Sequence, residues 1–349
     1  MTYSENLEEA ITEIKEVMTG LKLYENEPMN GHCSMKVGGP VRALAVPSDV
    51  FGLTKVCYLL KKHFISPFIL GNGTNIVIPD EGLNIFVIST EKLQKLWLQE
   101  DGSIYAEAGV SLSKLSQFAQ QHGLTGLEFA SGIPGSVGGG LLMNAGAYGG
   151  EIKDTVRSVV CYYLPEQGLY ECANEQCDFS YRHSFFETVP CVILSAVFEL
   201  EKGDPETIGA KMKELNEKRR SSQPLDMPSS GSAFKRPEGG FAAALIEEAG
   251  LKGYAVGGAM VSEKHSGFVV NTGSATYEDV LAVMQHIREE VFKSSGIQLD
   301  PEIKIYPSGM ELADNSQDEE KAAQLRALVE RLQAAREAQD EASGGAGDK

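Results

Sequence analysis

The 349-residue chain holds a single tryptophan and only 31 basic side chains against 49 acidic ones, a formal net charge of −18. That shortage of positive charge argues against nucleic acid or anionic lipid as the main partner, since both are bound through clustered Lys and Arg. No run of about 18 apolar residues is present to cross a bilayer, so no membrane insertion is expected. The opening MTYSENLEEAITEIKEV lacks the basic start and apolar run of a secretion signal, which leads to the expectation of a cytoplasmic protein. The six cysteines (Cys33, Cys57, Cys161, Cys172, Cys177 and Cys191) include no C-x-x-C pair and read as reduced, mostly structural thiols. The six histidines show neither H-E-x-x-H nor H-x-H spacing, so no protein-held metal is expected.

What the chain has in excess is glycine, 37 of 349 residues, with no collagen-like period. The length suggests two packed domains. At 1–28, Leu7, Ile11, Ile14, Met18 and Leu21 recur at helical spacing, predicting a separate N-terminal helix over about 1–29. Strands are predicted at 41–46, 67–70, 75–78, 84–89, 103–109, 157–163 and 192–200, with helices at about 50–62 and 111–123. The second half is more helical, at 205–220, 241–250 and 276–292, and Thr276-x-x-Asp279 forms a capping box at the start of the last. This order lacks regular β-α alternation, so α+β is preferred to a doubly wound sheet. The domain seam is placed at EKGDPE, 201–206. The acidic tail 311–349, with a narrow stripe of Leu325, Leu328, Val329 and Leu332, reads as a solvated appendage.

Two glycine turns stand out. Gly71-Asn72-Gly73-Thr74-Asn75 begins like a dinucleotide fingerprint, but Ile76 replaces the third glycine and a strand follows instead of a helix. Its backbone N–H groups, with Thr74 and Asn75 side chains, suit a phosphate; an ordinary β-turn fits this stretch equally well. The coil 131–140, SGIPGSVGGG, has five glycines and a proline in ten residues but no Walker lysine. Such a coil can lie against a flat or anionic ligand without side chains intervening. Two such turns about 60 residues apart suggest a long diphosphate cofactor spread over two small lobes.

Across 30–306 the ordered blocks SMKVGGP, GNGTN, SGIPGSVGGGLLMNAGAYGGE, SYRHS, SGSAFKRP, EEAGLKGYAVGGAMVSEKHSGFVVN and LDPEIKI resemble the UDP-N-acetylenolpyruvoylglucosamine reductase (UDP-N-acetylmuramate dehydrogenase) family. The resemblance implies a vanillyl-alcohol-oxidase-like (PCMH-type) FAD-binding domain at 30–200, in lobes of about 30–90 and 91–200, and an α+β substrate domain at 201–310. It implies that NADPH reduces FAD, and that the flavin then reduces the enolpyruvyl group of a UDP-sugar in peptidoglycan synthesis. No inserted tyrosine-bearing loop is present, as in the family's shorter subtype.

By the same resemblance, Arg182, Ser232 and Glu302 are the catalytic residues. Arg182 would serve as the cation at the substrate carboxylate, Ser232 as the proton donor, and Glu302 would act at the carboxylate or the proton relay. FAD contacts are implied at Gly71, Asn72, Gly73, Thr74, Asn75, Gly132, Pro134, Gly135, Ser136, Gly138, Gly139, Asn144, Gly146 and Ala147. Tyr148, Tyr181, Arg219, Lys235 and Arg236 are implied substrate contacts. Some relatives of this fold attach flavin through a histidine at the first turn; GNGTN has none, so FAD is expected to be non-covalent, in a monomer. Met35, Gly140, Arg236 and Gly267 depart from the residues common in the family. A flavin fold without turnover, or an FAD oxidase with another substrate, are the competing readings; Arg182, Ser232 and Glu302 together speak against the first.

Overall fold

The structure, a computed structural model, describes residues 2–313. The tail stripe from Leu325 to Leu332 therefore lies outside the described residues. The α-helices among them are α1 (Tyr3–Val17), α2 (Val50–Lys62), α3 (Leu112–Gln121), α4 (Val137–Leu142), α5 (Pro205–Ser222), α6 (Ala242–Glu248) and α7 (Tyr277–Ser295).

The first lobe is a four-stranded sheet in the order Lys22–Pro28, Pro40–Val46, Leu83–Ser89, Phe68–Leu70. The first pair is antiparallel and the other two are parallel. Helix α1 lays Leu7, Ala10, Ile11 and Ile14 on Leu53, Val56 and Leu60 of α2. Thr2 and Glu5 close a capping box at its start. The N-terminal segment is thus not a separate unit, as the sequence suggested, because Lys22–Pro28 forms an edge of the first sheet. That edge strand is largely exposed and reads KLYENEP, so no apolar alternation announces it.

The second lobe is a five-stranded antiparallel sheet, in the order Gly168–Ala173, Val156–Tyr163, Cys191–Phe198, Ile104–Glu107, Leu96–Leu98. Helices α3 and α4 close its core through Leu112, Leu115, Val137 and Leu141. The seam expected at 201–206 belongs to this lobe: Glu201–Lys202 pair with Leu124–Thr125, and Asn216 of α5 donates to Ser131 Oγ at 3.2 Å.

The third unit is a four-stranded antiparallel sheet of Ser229–Ser232, Phe268–Asn271, Ala259–Val261 and Ala255–Val256, in that order. Helices α6 and α7 pack on it, and the capping box predicted at Thr276 and Asp279 is present. The chain then returns to the first lobe. Lys304–Ile305 pair in parallel with Ile76–Val77, and Tyr306, Met310 and Leu312 pack on the first-lobe core. Residue 302 sits at this crossing.

Candidate functional site

The turn 71–75 leaves the strand Phe68–Leu70 and faces the coil 131–140 across one cavity. A Cβ added at Gly71 would lie 2.6 Å from Ser136 Oγ, so glycine lets the two turns meet. Gly73 adopts φ +60, and a Cβ there would run into the carbonyl of His32. Val137 and Gly138 donate to the carbonyls of Val110 and Ala108 at 2.8 and 2.9 Å, fastening the coil to the second lobe. The N–H groups of Asn72, Gly73 and Thr74 donate to no backbone acceptor among the described residues. Successive uncommitted N–H groups in a tight turn make an anion cradle. Leu112, Ile133, Leu142, Ile193 and Tyr306 give the cavity an apolar wall suited to a flat ring.

The close fit at Gly73 carries a prediction. Gly73→Ala overpacks the turn, at a cost of about 1–3 kcal/mol. Gly102→Ala carries a comparable positive φ in open space and serves as the control. Melting curves are expected to drop further for Gly73→Ala than for Gly102→Ala; equal drops would remove the clash as the cause.

Beside the cavity stands a carboxylate held by three parts of the chain. Ser180 and His183 exchange backbone hydrogen bonds of 3.1 and 3.2 Å, closing a tight turn. Arg182, its third residue, sits at φ +53, a backbone that non-glycine residues seldom adopt. Arg182 Nε donates to Glu302 Oε1 at 2.6 Å, and Nη2 donates to Gly146 O at 3.3 Å. Glu302 N donates to Ala233 O at 2.9 Å, so Ser232 stands one residue from the contact. Asn75 Nδ2 donates to Glu302 O at 3.1 Å, tying the first glycine turn to the same residue. Ser232 follows an irregularity in strand pairing at Gly231 (φ +79) and is exposed.

Burial pushes the Glu302 carboxyl above the ordinary carboxylate range, and Arg182 and then Lys235 pull it partly back. Glu187 joins the far side, pairing with Lys304 and lying 3.0 Å from His183 Nδ1.

Of the expected cofactor residues, Gly71–Asn75, Pro134, Gly135, Ser136, Gly138 and Gly139 line the cavity. Gly132, Asn144, Gly146 and Ala147 do not. Gly132 is pressed against α5, where an added Cβ would lie 3.1 Å from Arg219 Nε. Gly146 spends its carbonyl on Arg182, and Ala147 pairs with Gly150 in a short hairpin. The Asn144 amide is spent on Ser180 O and Glu151, while Asn75, which lines the cavity, donates from Nδ2 to Glu302 O.

Tyr148, at φ +55 on the hairpin tip, lies 5.7 Å below the Arg219 guanidinium. Arg219 is buried with no carboxylate in ion-pair reach among the described residues, and burial lowers its pKa. Lys235 N donates to Asp300 O at 2.8 Å, which keeps its side chain beside Glu302. Arg236 N donates to Tyr181 Oη at 3.0 Å, while its guanidinium stacks 4.5 Å over Phe241. Sequence reasoning passed over Lys304, Tyr306 and Phe241; alternation from Glu302 through LDPEIKI could have found Lys304.

Residues 41–164 match the model of an FAD binding domain, and residues 223–306 match the model described as UDP-N-acetylenolpyruvoylglucosamine reductase, C-terminal domain. The chain is 48% identical over 296 residues to the UDP-N-acetylenolpyruvoylglucosamine reductase of Caldanaerobacter subterraneus subsp. tengcongensis, covering 84% of this chain and 97% of that one. The chain belongs to the UDP-N-acetylenolpyruvoylglucosamine reductase family. The Pseudothermotoga lettingae reductase is 46% identical over 282 residues, covering 80% of this chain and 96% of its own length. The crystal structure of the Thermus caldophilus reductase aligns with a TM-score of 0.71 at 31% identity, over 82% of this chain and 99% of that one. The α+β class and the FAD-binding fold are thereby borne out. The uncommitted N–H groups at 72–74 and the apolar wall opposite suit the diphosphate and the ring system of FAD.

Proposed function

We propose that this member of the reductase family uses NADPH and FAD to reduce the enolpyruvyl group of UDP-N-acetylglucosamine enolpyruvate, giving the lactyl ether of UDP-N-acetylmuramate for peptidoglycan synthesis. The observation that supports it most is the meeting of Arg182, Glu302 and the Ser232 strand beside a cavity walled by two glycine turns. The turn 71–75 and the coil 134–139 would hold FAD without a covalent bond. When bound, FAD supplies the hydride chemistry, accepting from NADPH and giving to the enolpyruvyl double bond.

The chain's own residues do the rest. A guanidinium has five N–H groups, and Arg182 uses one each on Glu302 and Gly146. The remaining N–H groups hold the substrate carboxylate, where negative charge grows as the double bond is reduced. Glu302 keeps the guanidinium in its plane, and its raised pKa equips it to pass a proton. Ser232 gives the proton to the α-carbon through an exposed hydroxyl. Lys235, Arg219 and Arg236 face the UDP phosphates, with Tyr148 and Tyr181 carrying Arg219 and the backbone of Arg236. No described helix is long and apolar enough to cross a membrane. We take the protein to be cytoplasmic and monomeric, and gel filtration tests the oligomeric state.

The purified protein is expected to be yellow, to bleach with NADPH and to regain colour with the enolpyruvyl sugar. Acid precipitation is expected to leave the flavin in the supernatant. A preparation that stays colourless after incubation with FAD would refute the proposal, and flavin in the pellet would refute the non-covalent part.

A further inference from the structure

The turn that presents Arg182 closes on itself between Ser180 and His183, and one buried amide anchors its first residue. Asn144 is fully buried and sits at φ +43. Its Nδ2 donates to Ser180 O and to Glu151 Oε2, both at 3.0 Å, and its Oδ1 accepts from Lys153 N at 3.0 Å. An amide group has two donor hydrogens, so both are spent. Ser180 opens the turn whose third residue is Arg182. Two residues beyond Asn144, Gly146 supplies the carbonyl that takes Arg182 Nη2. The side chain bonds neither Arg182 nor a residue of the cavity, yet it holds Ser180, which opens the Arg182 turn, and Glu151, which pairs with Gly146. An arginine at φ +53 keeps that backbone only where its surroundings over-determine it.

We propose that Asn144 is a positioning residue for the reduction: it holds the turn 180–183 so that the Arg182 guanidinium meets Glu302 and presents its remaining N–H groups to the substrate carboxylate. The inference rests on the roles assigned above to Arg182 and Glu302. Asn144 does no chemistry, and its amide matters through the Ser180 carbonyl.

Two variants test this in the FAD-loaded protein. Asn144→Gly keeps the left-handed backbone without strain and removes all three hydrogen bonds. Asn144→Asp/Glu151→Gln restores an amide–carboxylate contact with the roles exchanged, but leaves the Ser180 carbonyl without a donor. Both are expected to bind flavin and to be reduced by NADPH at near the wild-type rate. Reoxidation by the enolpyruvyl sugar is expected to slow by roughly 10- to 100-fold, the usual cost of misplacing a reacting group by about an ångström. The pH limb of reoxidation should move upward, because Glu302 loses the pull of Arg182 and keeps only that of Lys235, with Glu187 and Lys304 paired to each other nearby. A crystal structure of either variant supplies a readout without turnover: Arg182 Nε more than 4 Å from Glu302 supports the inference. Reoxidation at the wild-type rate, an unmoved limb, or an intact Arg182–Glu302 pair would overturn it. Equal slowing of both half-reactions would also overturn it. Failure of the wild-type protein to reoxidise would instead count against the proposed function.

Discussion

Ser232→Ala is expected to bleach with NADPH at close to the wild-type rate and to reoxidise with the enolpyruvyl sugar slower by roughly 10²-fold or more, the usual worth of a positioned general acid. The asymmetry follows from where a proton is needed. Passing hydride from NADPH to the flavin asks nothing of Ser232, whereas saturating the double bond needs a proton at the α-carbon. Ser232 is exposed after the irregular pairing at Gly231, so loss of its hydroxyl removes little packing and leaves the fold intact. Ala233, its neighbour, keeps the bond from Glu302 N, which separates loss of a donor from loss of the frame. Stopped-flow traces of the two half-reactions decide the matter. Equal slowing of both would assign Ser232 to shaping the site.

Local features of this site could be read from the residues, and distant ones could not. The glycine turns announce themselves because a tight approach depends on the residue type at each position, as at Gly71 and Gly73. The cap at Thr276 is equally local. The meeting of Arg182 with Glu302 spans 120 positions, and that of Asn75 with Glu302 spans 227. Nothing in composition or spacing brings such residues together; only the family resemblance pointed to the first pair. Asn144 shows the same limit from another side. The family resemblance implied a cofactor contact there; an amide can spend its hydrogen bonds anywhere, and no sequence signal showed that this one holds a neighbouring turn. Lys22–Pro28 escaped notice because an exposed edge strand need not alternate.

Removing Arg182 is expected to cost both activity and stability. Arg182→Ala takes away the cation set where charge develops, a loss expected to slow reoxidation by about 10²–10³-fold, as for one donor of an oxyanion site. It also leaves Glu302 buried without its partner, and breaking a buried pair from one side costs about 3–5 kcal/mol when the remaining group stays charged. Glu302 already titrates above its ordinary range because burial outweighs Arg182, and without Arg182 it must rise further. A carboxyl whose pKa is higher folded than unfolded favours the folded state at low pH and loses that advantage as pH rises through the folded value. The variant should therefore be closest to wild type in stability under mildly acidic conditions and fall away toward neutral pH. Arg182→Ala/Glu302→Gln removes the stranded charge and should recover most of the stability while remaining inactive. Melting curves of the three proteins across this pH range test the prediction. If the single variant follows the wild-type pH profile, or the double variant is no more stable than the single, Glu302 is not a buried charge that Arg182 compensates.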